Sequence, residues 1–307
     1  MAAAEPPLIA IVGPTASGKS ALALELAQTF GGEIISCDSL QVYRGLDIGS
    51  AKPTAVERAL VPHHLLDVAE PEADFSAAEY ARLARGAVRD IAARGRLPIV
   101  AGGTGLYLRA LLTGLFSGPS RDAAFRGRVE AMAGRFGRAR VHRWLRRVDA
   151  SAAARIEPSD LVRTVRALEV FRATRRPISV HHGASPDPLI GFAVKVFGLG
   201  LGRDALRQRV EARTDAMLAA GLLDEVRGLL SRFSPELRPF RAIGYRHAVA
   251  VLRGEMDLAA ARRDLVTATM QYAKRQRTWF RHQADVAWFE TAAAAREGVG
   301  AWLRPRA

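Results

Sequence analysis

Residues 13–20 read Gly-Pro-Thr-Ala-Ser-Gly-Lys-Ser, and the segments on either side of them decide the fold. The apolar residues 8–12 are typical of a buried strand, and residues 21–27 have the composition of a helix. A glycine loop between a strand and a helix matches the phosphate-binding loop pattern, in which backbone N–H groups and the helix N-terminus hold an anion. The sequence therefore predicts a di- or triphosphate site, with Lys19 reaching the outer phosphates and Ser20 able to hold Mg²⁺.

Two further predicted strands end in residues suited to a ligand site. Residues 33–37 form the second strand and lead into Asp38, while residues 97–101 form the third and lead into two glycines and Thr104. Because ligands bind at the carboxyl ends of strands in an open α/β sheet, we expect Asp38 and Thr104 to lie near the anion. A carboxylate there is either an indirect partner of Mg²⁺ or a general base, and the strand pattern alone leaves both open.

The order of predicted elements indicates an α/β fold. We expect a three-layer parallel sheet core like that of the P-loop NTPases, carrying a small all-helical insertion domain. The sheet pattern stops near residues 114–119, and residues 121–147 and about 160–173 show helical periodicity instead. The predicted core is therefore residues 1–119 and 189–307, and the insertion is residues 120–188, with a return linker at residues 185–188.

Composition limits the class of protein. A chain of 307 residues with 49% hydrophobic residues can bury a large core, and its single cysteine, Cys37, excludes an intrachain disulfide. No run approaches the roughly 18 apolar residues of a membrane span, and residues 1–7 lack the regions of a signal peptide. We therefore expect a cytoplasmic protein without membrane segments.

The net charge of +14 is unevenly distributed along the chain. Residues 1–118 carry ten basic and 12 acidic side chains, whereas residues 119–190 carry 15 basic and seven acidic ones. A GC-rich genome would explain why 41 arginines stand against four lysines, but it would not explain this asymmetry. The distribution favours a polyanionic partner, and nucleic acid in particular, for the basic part of the chain.

Arg213 occupies an unusual position in a predicted helix. Leu206, Val210 and Met217 define its apolar face by spacings of four and seven, and Arg213 falls on the same face. A charged side chain on an apolar face needs a partner, which is either an internal acid or the bound phosphates. We favour the phosphates. Further along, residues 240–246 are aromatic and basic around Gly244, a composition suited to stacking on RNA bases.

Seven motifs occur in an order that points to one family. They are Gly-Pro-Thr-Ala-Ser-Gly-Lys-Ser at 13–20, Asp-Ser-Leu-Gln-Val-Tyr at 38–43, Pro-His-His-Leu-Leu-Asp at 62–67, Gly-Gly-Thr-Gly-Leu-Tyr at 102–107, Arg-Ala-Leu-Glu-Val at 166–170, Ala-Ile-Gly-Tyr at 242–245 and Tyr-Ala-Lys-Arg-Gln at 272–276. Almost the whole chain thereby resembles the bacterial tRNA dimethylallyltransferases, also called tRNA isopentenyltransferases.

The resemblance implies substrates and site residues. The family transfers a dimethylallyl group from dimethylallyl diphosphate to N6 of the adenine 3′ to the anticodon of tRNA, with Mg²⁺, so the anticodon stem-loop is the implied partner; we expect a monomer. Asp38 matches the family's general base, and Thr104 matches the threonine beside the reacting centre. The implied diphosphate-binding residues are Gly13, Pro14, Thr15, Ala16, Ser17, Gly18, Lys19, Ser20 and Arg213, with Ser20 holding Mg²⁺. The implied tRNA-binding residues are Asp38, Ser39, Leu40, Gln41, Thr104, Arg126, Val162, Arg163, Thr164, Val165, Arg166, Arg241, Gly244, Tyr245 and Lys274.

Two departures from the family pattern and two competing functions remain. Asp149-Ala150 stands where the family usually has Asp-Pro, and Arg246 stands where Lys commonly follows Gly-Tyr.

A kinase that uses ATP in the same loop is the first alternative function, although residues 97–101 do not end in the metal-holding Asp expected of a nucleotide hydrolase. A nucleotide-gated RNA-binding protein without chemistry is the second, and Asp38 and Thr104 at the strand ends argue against it.

Overall fold

The computed structural model describes residues 5–116, 118–183 and 187–304. The chain divides into two compact units, Met1–Leu112 with Leu189–Ala307, and Thr113–Pro188. The second unit thus begins at Thr113, where the sequence predicted an insertion from residue 120. Within the first unit, the amide N–H of Leu189 donates to the carbonyl oxygen of Leu112 at 3.0 Å. The chain therefore leaves the first unit and returns to it at one point.

Six strands form the sheet of the first unit. They are β1 (Pro7–Val12), β2 (Gly32–Cys37), β3 (His63–His64), β4 (Leu97–Gly102), β5 (Ala193–Leu199) and β6 (Val286–Phe289). All neighbouring strands pair in parallel, in the order β3-β2-β4-β1-β5-β6. The parallel sheet predicted from the sequence is confirmed, and β1, which precedes the glycine loop, lies among its central strands.

Helices make up most of the remaining described residues. They are α1 (Lys19–Phe30), α2 (Ala55–Leu60), α3 (Ala77–Ala93), α4 (Gly105–Thr113), α5 (Ala123–Phe136), α6 (Arg138–Val148), α7 (Ala150–Arg155), α8 (Leu161–Thr174), α9 (Ile178–Gly183), α10 (Arg203–Ala219), α11 (Leu222–Leu230), α12 (Tyr245–Leu252), α13 (Leu258–Gln283) and α14 (Ala292–Leu303). A short 3₁₀ helix spans Arg238–Arg241. No helix among the described residues combines the length and the apolar composition that crossing a bilayer requires.

The sheet is buried on both faces, which explains why its strands are continuously apolar. Leu8, Ala10 and Val12 of β1 pack in a cluster with side chains of α3, α4, α11, α12 and α13. Ile9 and Ile11 point to the other face and pack with side chains of α1 and α14. This arrangement is the three-layer α/β core that the sequence predicted.

The register of the strands brings three chain segments to one edge. Gly102 of β4 is the register partner of Val12 in β1 and of Cys37 in β2. The loops that follow the three strands therefore leave the sheet at the same level. A Cβ atom on Gly102 would overlap the carbonyl oxygen of Cys37, so this close approach of the strand ends requires glycine.

The regular secondary structure among the described residues of the second unit is all helical, as the sequence predicted. Helices α5–α9 pack around Phe125, Val129, Val141, Leu145 and Leu168. Residues 121–147, for which the sequence predicted helical periodicity, form two helices. Gly137 separates α5 from α6 with a φ of 82°. This value lies in the region that favours glycine, so the chain turns there. The predicted linker includes Ser185 and Pro186, which lie outside the described residues.

Candidate active site

The glycine loop connects β1 to α1 and is shaped by its own backbone. The amide N–H of Ser17 donates to the carbonyl oxygen of Pro14 at 3.2 Å, and Gly18 caps α1 with a φ of 94°. Lys19 folds back so that its Nζ donates to the same Pro14 oxygen at 3.2 Å. Because α1 is 12 residues long, its free N–H groups and its dipole favour an anion in front of the loop.

Two cations lie together beside this loop. Burial first, and then the charge of Arg213, lower the pKa of Lys19 to about 8, while Asp38 opposes the shift. Arg213 donates from Nη1 to Oγ1 of Thr15 at 3.1 Å, and burial lowers its pKa as well. Among the described residues Arg213 forms no ion pair, so the internal acid that the sequence left open is not found there. Two partly desolvated positive charges without a paired carboxylate fit an anionic ligand.

Asp38 and Thr104 stand at the ends of β2 and β4. Oδ1 of Asp38 accepts the amide N–H of Leu40 at 2.8 Å, and its other carboxylate oxygen has no hydrogen-bond partner among the residues described. The Oγ1 of Thr104 accepts the amide N–H of Ser39 at 3.1 Å. Thr104 therefore orients the backbone next to Asp38, but it is not among the residues that line the two cavities of the site.

Two cavities of the first unit meet at Arg213. One, of about 380 Å³, contains Asp38 and Thr15 and is called the Asp38 cavity; its lining includes Ser39, Leu40, Arg241 and Gly244. The other, of about 880 Å³, is called the loop cavity and is lined by Ala16, Gly18, Lys19, Ser20 and Arg209. Arg213 and Met217 line both cavities. A ligand whose charged end lies on the loop would thus point its other end toward Asp38.

Not every residue of the predicted diphosphate site reaches these cavities with its side chain. Gly13, Pro14 and Ser17 are buried and line neither of them. They form the turn that presents the neighbouring N–H groups, which is the role that a phosphate-binding loop requires.

The fit of Mg²⁺ depends on Ser20. Its side chain is exposed in the lining of the loop cavity, which also includes Asp47, but Asp47 already accepts a bond from Lys52 at 2.5 Å. The described residues contain no group of three or more His, Cys, Asp or Glu side chains placed to hold a metal ion. Mg²⁺ usually keeps several waters and binds through one or two protein oxygens plus substrate phosphates. The lining fits a Mg²⁺ ion that arrives with a diphosphate, and Ser20 is the residue that would hold it.

Gln276 also belongs to the candidate site, although the sequence did not predict it. Its Oε1 accepts the amide N–H of Thr15 at 2.8 Å, and its Nε2 donates to the carbonyl oxygen of Gly103 at 2.9 Å. The side chain is only 6% exposed. One amide thereby ties the glycine loop to the loop after β4. The Tyr-Ala-Lys-Arg-Gln motif was the signal that could have drawn attention to it.

Glu225 is the second missed residue, and it corrects the prediction for Tyr245. Its carboxylate accepts the amide N–H groups of Asp47, Ile48 and Gly49 at 2.6–3.2 Å, together with the hydroxyl of Tyr245 at 2.8 Å. Tyr245 is 0% exposed, so it cannot stack on a nucleobase as its composition suggested. It instead supports residues 47–50, which line the two cavities.

Gln41 and Lys274 complete the predicted RNA contacts of the first unit. Gln41 accepts a bond from the Ser36 hydroxyl at 2.8 Å and donates to the carbonyl oxygens of Ser50 and Ala51. Its side chain therefore links β2 to residues 50–51 and has little capacity left for RNA. Lys274 is exposed on α13 and lines neither cavity.

The predicted RNA contacts of the second unit fall into paired, buried and exposed groups. Arg126 and Arg166 both bind Glu169, at 2.8 and 2.6 Å. Burial would raise the pKa of Glu169, but the hydrogen bonds from these two arginines lower it to about 2. Thr164 and Val165 are buried in the helical core, so their side chains do not reach the surface, and their assignment to the tRNA-binding residues stays a prediction. The exposed members are Val162 and Arg163.

A parallel α/β sheet with a phosphate-binding loop at its carboxyl edge and a helical insertion defines a P-loop-like ligand-binding protein. Residues 41–283 match the family model described as IPP transferase. The chain is 52% identical over 283 residues to a tRNA dimethylallyltransferase of Anaeromyxobacter sp. (strain Fw109-5), which covers 92% of this chain and 93% of the relative. The chain belongs to the IPP transferase family.

Solved structures agree with this assignment. A full-length tRNA isopentenylpyrophosphate transferase of Bacillus halodurans superposes with a TM-score of 0.71 at 37% identity, covering 98% of both chains. A eukaryotic dimethylallyltransferase described as acting on tRNA gives a TM-score of 0.75 at 27% identity, covering 94% of this chain and 75% of the other.

Proposed function

We propose that this protein transfers a dimethylallyl group from dimethylallyl diphosphate to N6 of the adenine 3′ to the anticodon of tRNA. Family membership supports the reaction class. The observation that carries the proposal is the pair Lys19 and Arg213, whose charges lie at the junction of two cavities near the free carboxylate oxygen of Asp38.

The loop side of the site would stabilise the leaving group. Lys19, Arg213 and the amide N–H groups before α1 bind the diphosphate and offset the negative charge that grows as its C–O bond breaks. Because these groups are already held in place by protein contacts, they reorganise little during the reaction. A Mg²⁺ ion bound to the diphosphate and Ser20 would supply further charge neutralisation there.

The Asp38 side would accept the nucleophile. Adenine must leave its stack to enter the Asp38 cavity, which costs a few kcal/mol and least in a loop. Asp38 accepts a hydrogen bond from the exocyclic amine and takes its proton as the bond from N6 to the allylic carbon forms. The products are the prenylated adenine, diphosphate and a protonated Asp38 that returns its proton to solvent. Since one chain lines both cavities, a monomer acting in the cytoplasm, where tRNA is found, is sufficient.

One assay tests the proposal against the two alternatives. The purified protein is incubated with tRNA, Mg²⁺ and either labelled dimethylallyl diphosphate or labelled ATP. Transfer of the prenyl label to tRNA is expected. Transfer of phosphate from ATP would instead support a kinase, and ATP-dependent RNA binding without transfer of either label would support a gated RNA-binding protein.

The position of Gln276 leads to a prediction for the isosteric variant Gln276→Glu. The new carboxylate still accepts from Thr15 but cannot donate to the carbonyl oxygen of Gly103, which it would repel. We expect KM for dimethylallyl diphosphate to rise roughly tenfold, the equivalent of one lost buried hydrogen bond, with tRNA affinity unchanged. Initial rates at varied diphosphate concentration measure the effect.

Gln271→Glu is the matched control, because Gln271 lies on the same helix and is exposed. Its KM should equal that of the wild type. Equal KM values for the two variants, measured where both remain folded, would show that Gln276 does not position the loop.

The lowered pKa of Lys19 leads to a pH prediction. Only the protonated amine attracts a diphosphate, and in the free protein it loses its proton around pH 8 instead of near 10.5. Affinity for dimethylallyl diphosphate, measured without tRNA by calorimetry, should therefore fall as the pH rises above 8, by up to tenfold per pH unit. Lys19→Arg keeps its charge at higher pH and should give a flatter curve. Parallel curves for the two proteins would contradict the assignment.

A further inference from the structure

The charges of the second unit are separated between its helices. Its acidic side chains are largely engaged: Glu169 binds two arginines, Asp122 binds Arg172 at 2.8 Å, and Asp160 contacts Arg163 at 3.5 Å. Buried Asp149 accepts bonds from the backbone and hydroxyl of Ser179. The three arginines of α8 are thus all paired with local carboxylates, and most of the excess positive charge of the unit lies elsewhere.

Helix α6 carries most of that excess. Its sequence, Arg-Ala-Arg-Val-His-Arg-Trp-Leu-Arg-Arg-Val, contains five arginines and no acidic residue. Val141 and Leu145 are buried and fix which side of the helix packs on the core. The exposed arginines Arg140, Arg143, Arg146 and Arg147 occupy the remaining surface and form what is called here the α6 arginine face. None of them forms an ion pair with a described residue.

An exposed aromatic ring adjoins this face. Phe136, at the end of α5, is 51% exposed, and the guanidinium groups of Arg135 and Arg140 lie 4.9 and 5.1 Å from its ring centre. These cation–π contacts hold two guanidiniums at the surface without reducing their charge. Like-charged side chains kept together without counter-charges are costly to the isolated protein, and a polyanion would relieve that repulsion.

We propose that the α6 arginine face binds the sugar-phosphate backbone of the tRNA substrate, outside the loop that reacts. The inference rests on the proposed function for the identity of the RNA. Guanidinium groups match phosphate oxygens in a two-point geometry. Helix α6 has no Asn, Gln, Asp or Glu that would read base edges, so the face contributes affinity and orientation without sequence preference. This places the main RNA affinity of the second unit on α6, since Arg126 and Arg166 are both engaged by Glu169.

The test compares two triple variants of the full chain that lose the same charge. The first replaces Arg143, Arg146 and Arg147 by Gln and leaves the Arg140 contact with Phe136 intact. The control replaces three arginines that are paired with carboxylates at the surface, namely Arg172, Arg207 and Arg262. Binding of tRNA is measured over a range of salt concentrations, and thermal melting confirms that both variants are folded.

For the α6 variant we expect the slope of log K against log salt to become shallower by about two to three units, with affinity at low salt reduced about 10- to 100-fold. The control should change the slope by less than one unit. An Arg-to-Lys version of the α6 variant should retain most of the slope. Turnover at saturating tRNA and the KM for dimethylallyl diphosphate should stay at wild-type values.

Several results would overturn the inference. These are equal slopes in the two Gln variants, an affinity loss confined to one of two tRNAs with different stem sequences, and a wild-type chain that does not bind tRNA. A wild-type chain that binds tRNA with the expected slope but transfers no prenyl group would refute the proposed function only. In that case, the salt slopes of the two Gln variants would still test whether the α6 arginine face binds RNA.

Discussion

Replacing Asp38 by Asn should lower single-turnover prenylation by roughly 100-fold or more, because the amide cannot take the proton of the adenine amine. Asn retains a side-chain oxygen that can accept the Leu40 amide N–H, so the turn after β2 should persist. One uncharged isostere barely alters a basic surface, and tRNA affinity should stay nearly unchanged. Quench-flow measurement with both substrates bound isolates the chemical step.

Asp38→Glu provides the comparison for this prediction. It keeps the carboxylate but moves it by one methylene, and it should retain more activity than the Asn variant. A single-turnover rate for Asp38→Asn equal to that of the wild type would remove Asp38 from the chemistry. Asp38 would then keep its alternative role as an indirect partner of Mg²⁺. In that role, replacing Asp38 would change how the prenylation rate depends on Mg²⁺ concentration and would not affect the proton transfer.

Arg213→Ala should raise KM for dimethylallyl diphosphate by about 10- to 100-fold, which corresponds to the roughly 1.5–3 kcal/mol of a hydrogen bond to a charged group. The turnover number should fall as well, because Arg213 also faces the charge that develops on the leaving group. Affinity for tRNA should be spared. Steady-state kinetics with each substrate varied separately distinguish these effects.

Arg207→Ala is the matched control on the same helix, since Arg207 is exposed and pairs with Glu211. It should leave both KM values unchanged. A loss of tRNA affinity in Arg213→Ala, with the diphosphate KM unchanged, would place Arg213 on the RNA surface.

Arg213→Met should have a melting temperature slightly above that of the wild type, because burial disfavours the unpaired charge of Arg213 in the folded state.

Local patterns in the sequence predicted the fold and the centre of the site. Residues 8–27 contain a complete strand, loop and helix, so neighbouring residues alone specify the phosphate-binding loop. The positions of Asp38 and Thr104 followed from a general rule for parallel sheets. The family comparisons confirm the fold class that these features indicated.

Local sequence patterns could not predict contacts between residues that are far apart in the chain. Glu225 is separated by about 180 residues from the loop 47–49 that it holds, and nothing in its local sequence indicates those partners. Tyr245 illustrates the related difficulty that composition does not distinguish a buried tyrosine from one that stacks on RNA. The pairing of Arg166 with Glu169 was visible as an i,i+3 spacing, whereas the approach of Arg126 to the same carboxylate was not.

The hydrogen bond between Thr15 and Gln276 joins positions 261 residues apart, and this separation bears on protein synthesis. A ribosome produces the phosphate-binding loop almost at once, but the side chain that secures it emerges only near the end of translation. Likewise, central strand β1 cannot pair with β5 until β5 has been synthesised, which happens after the whole helical unit. Nascent chains should therefore be unable to bind substrate tightly until α13 has emerged from the ribosome. The core should complete its folding, and the site should become able to bind substrate, at the same stage of translation.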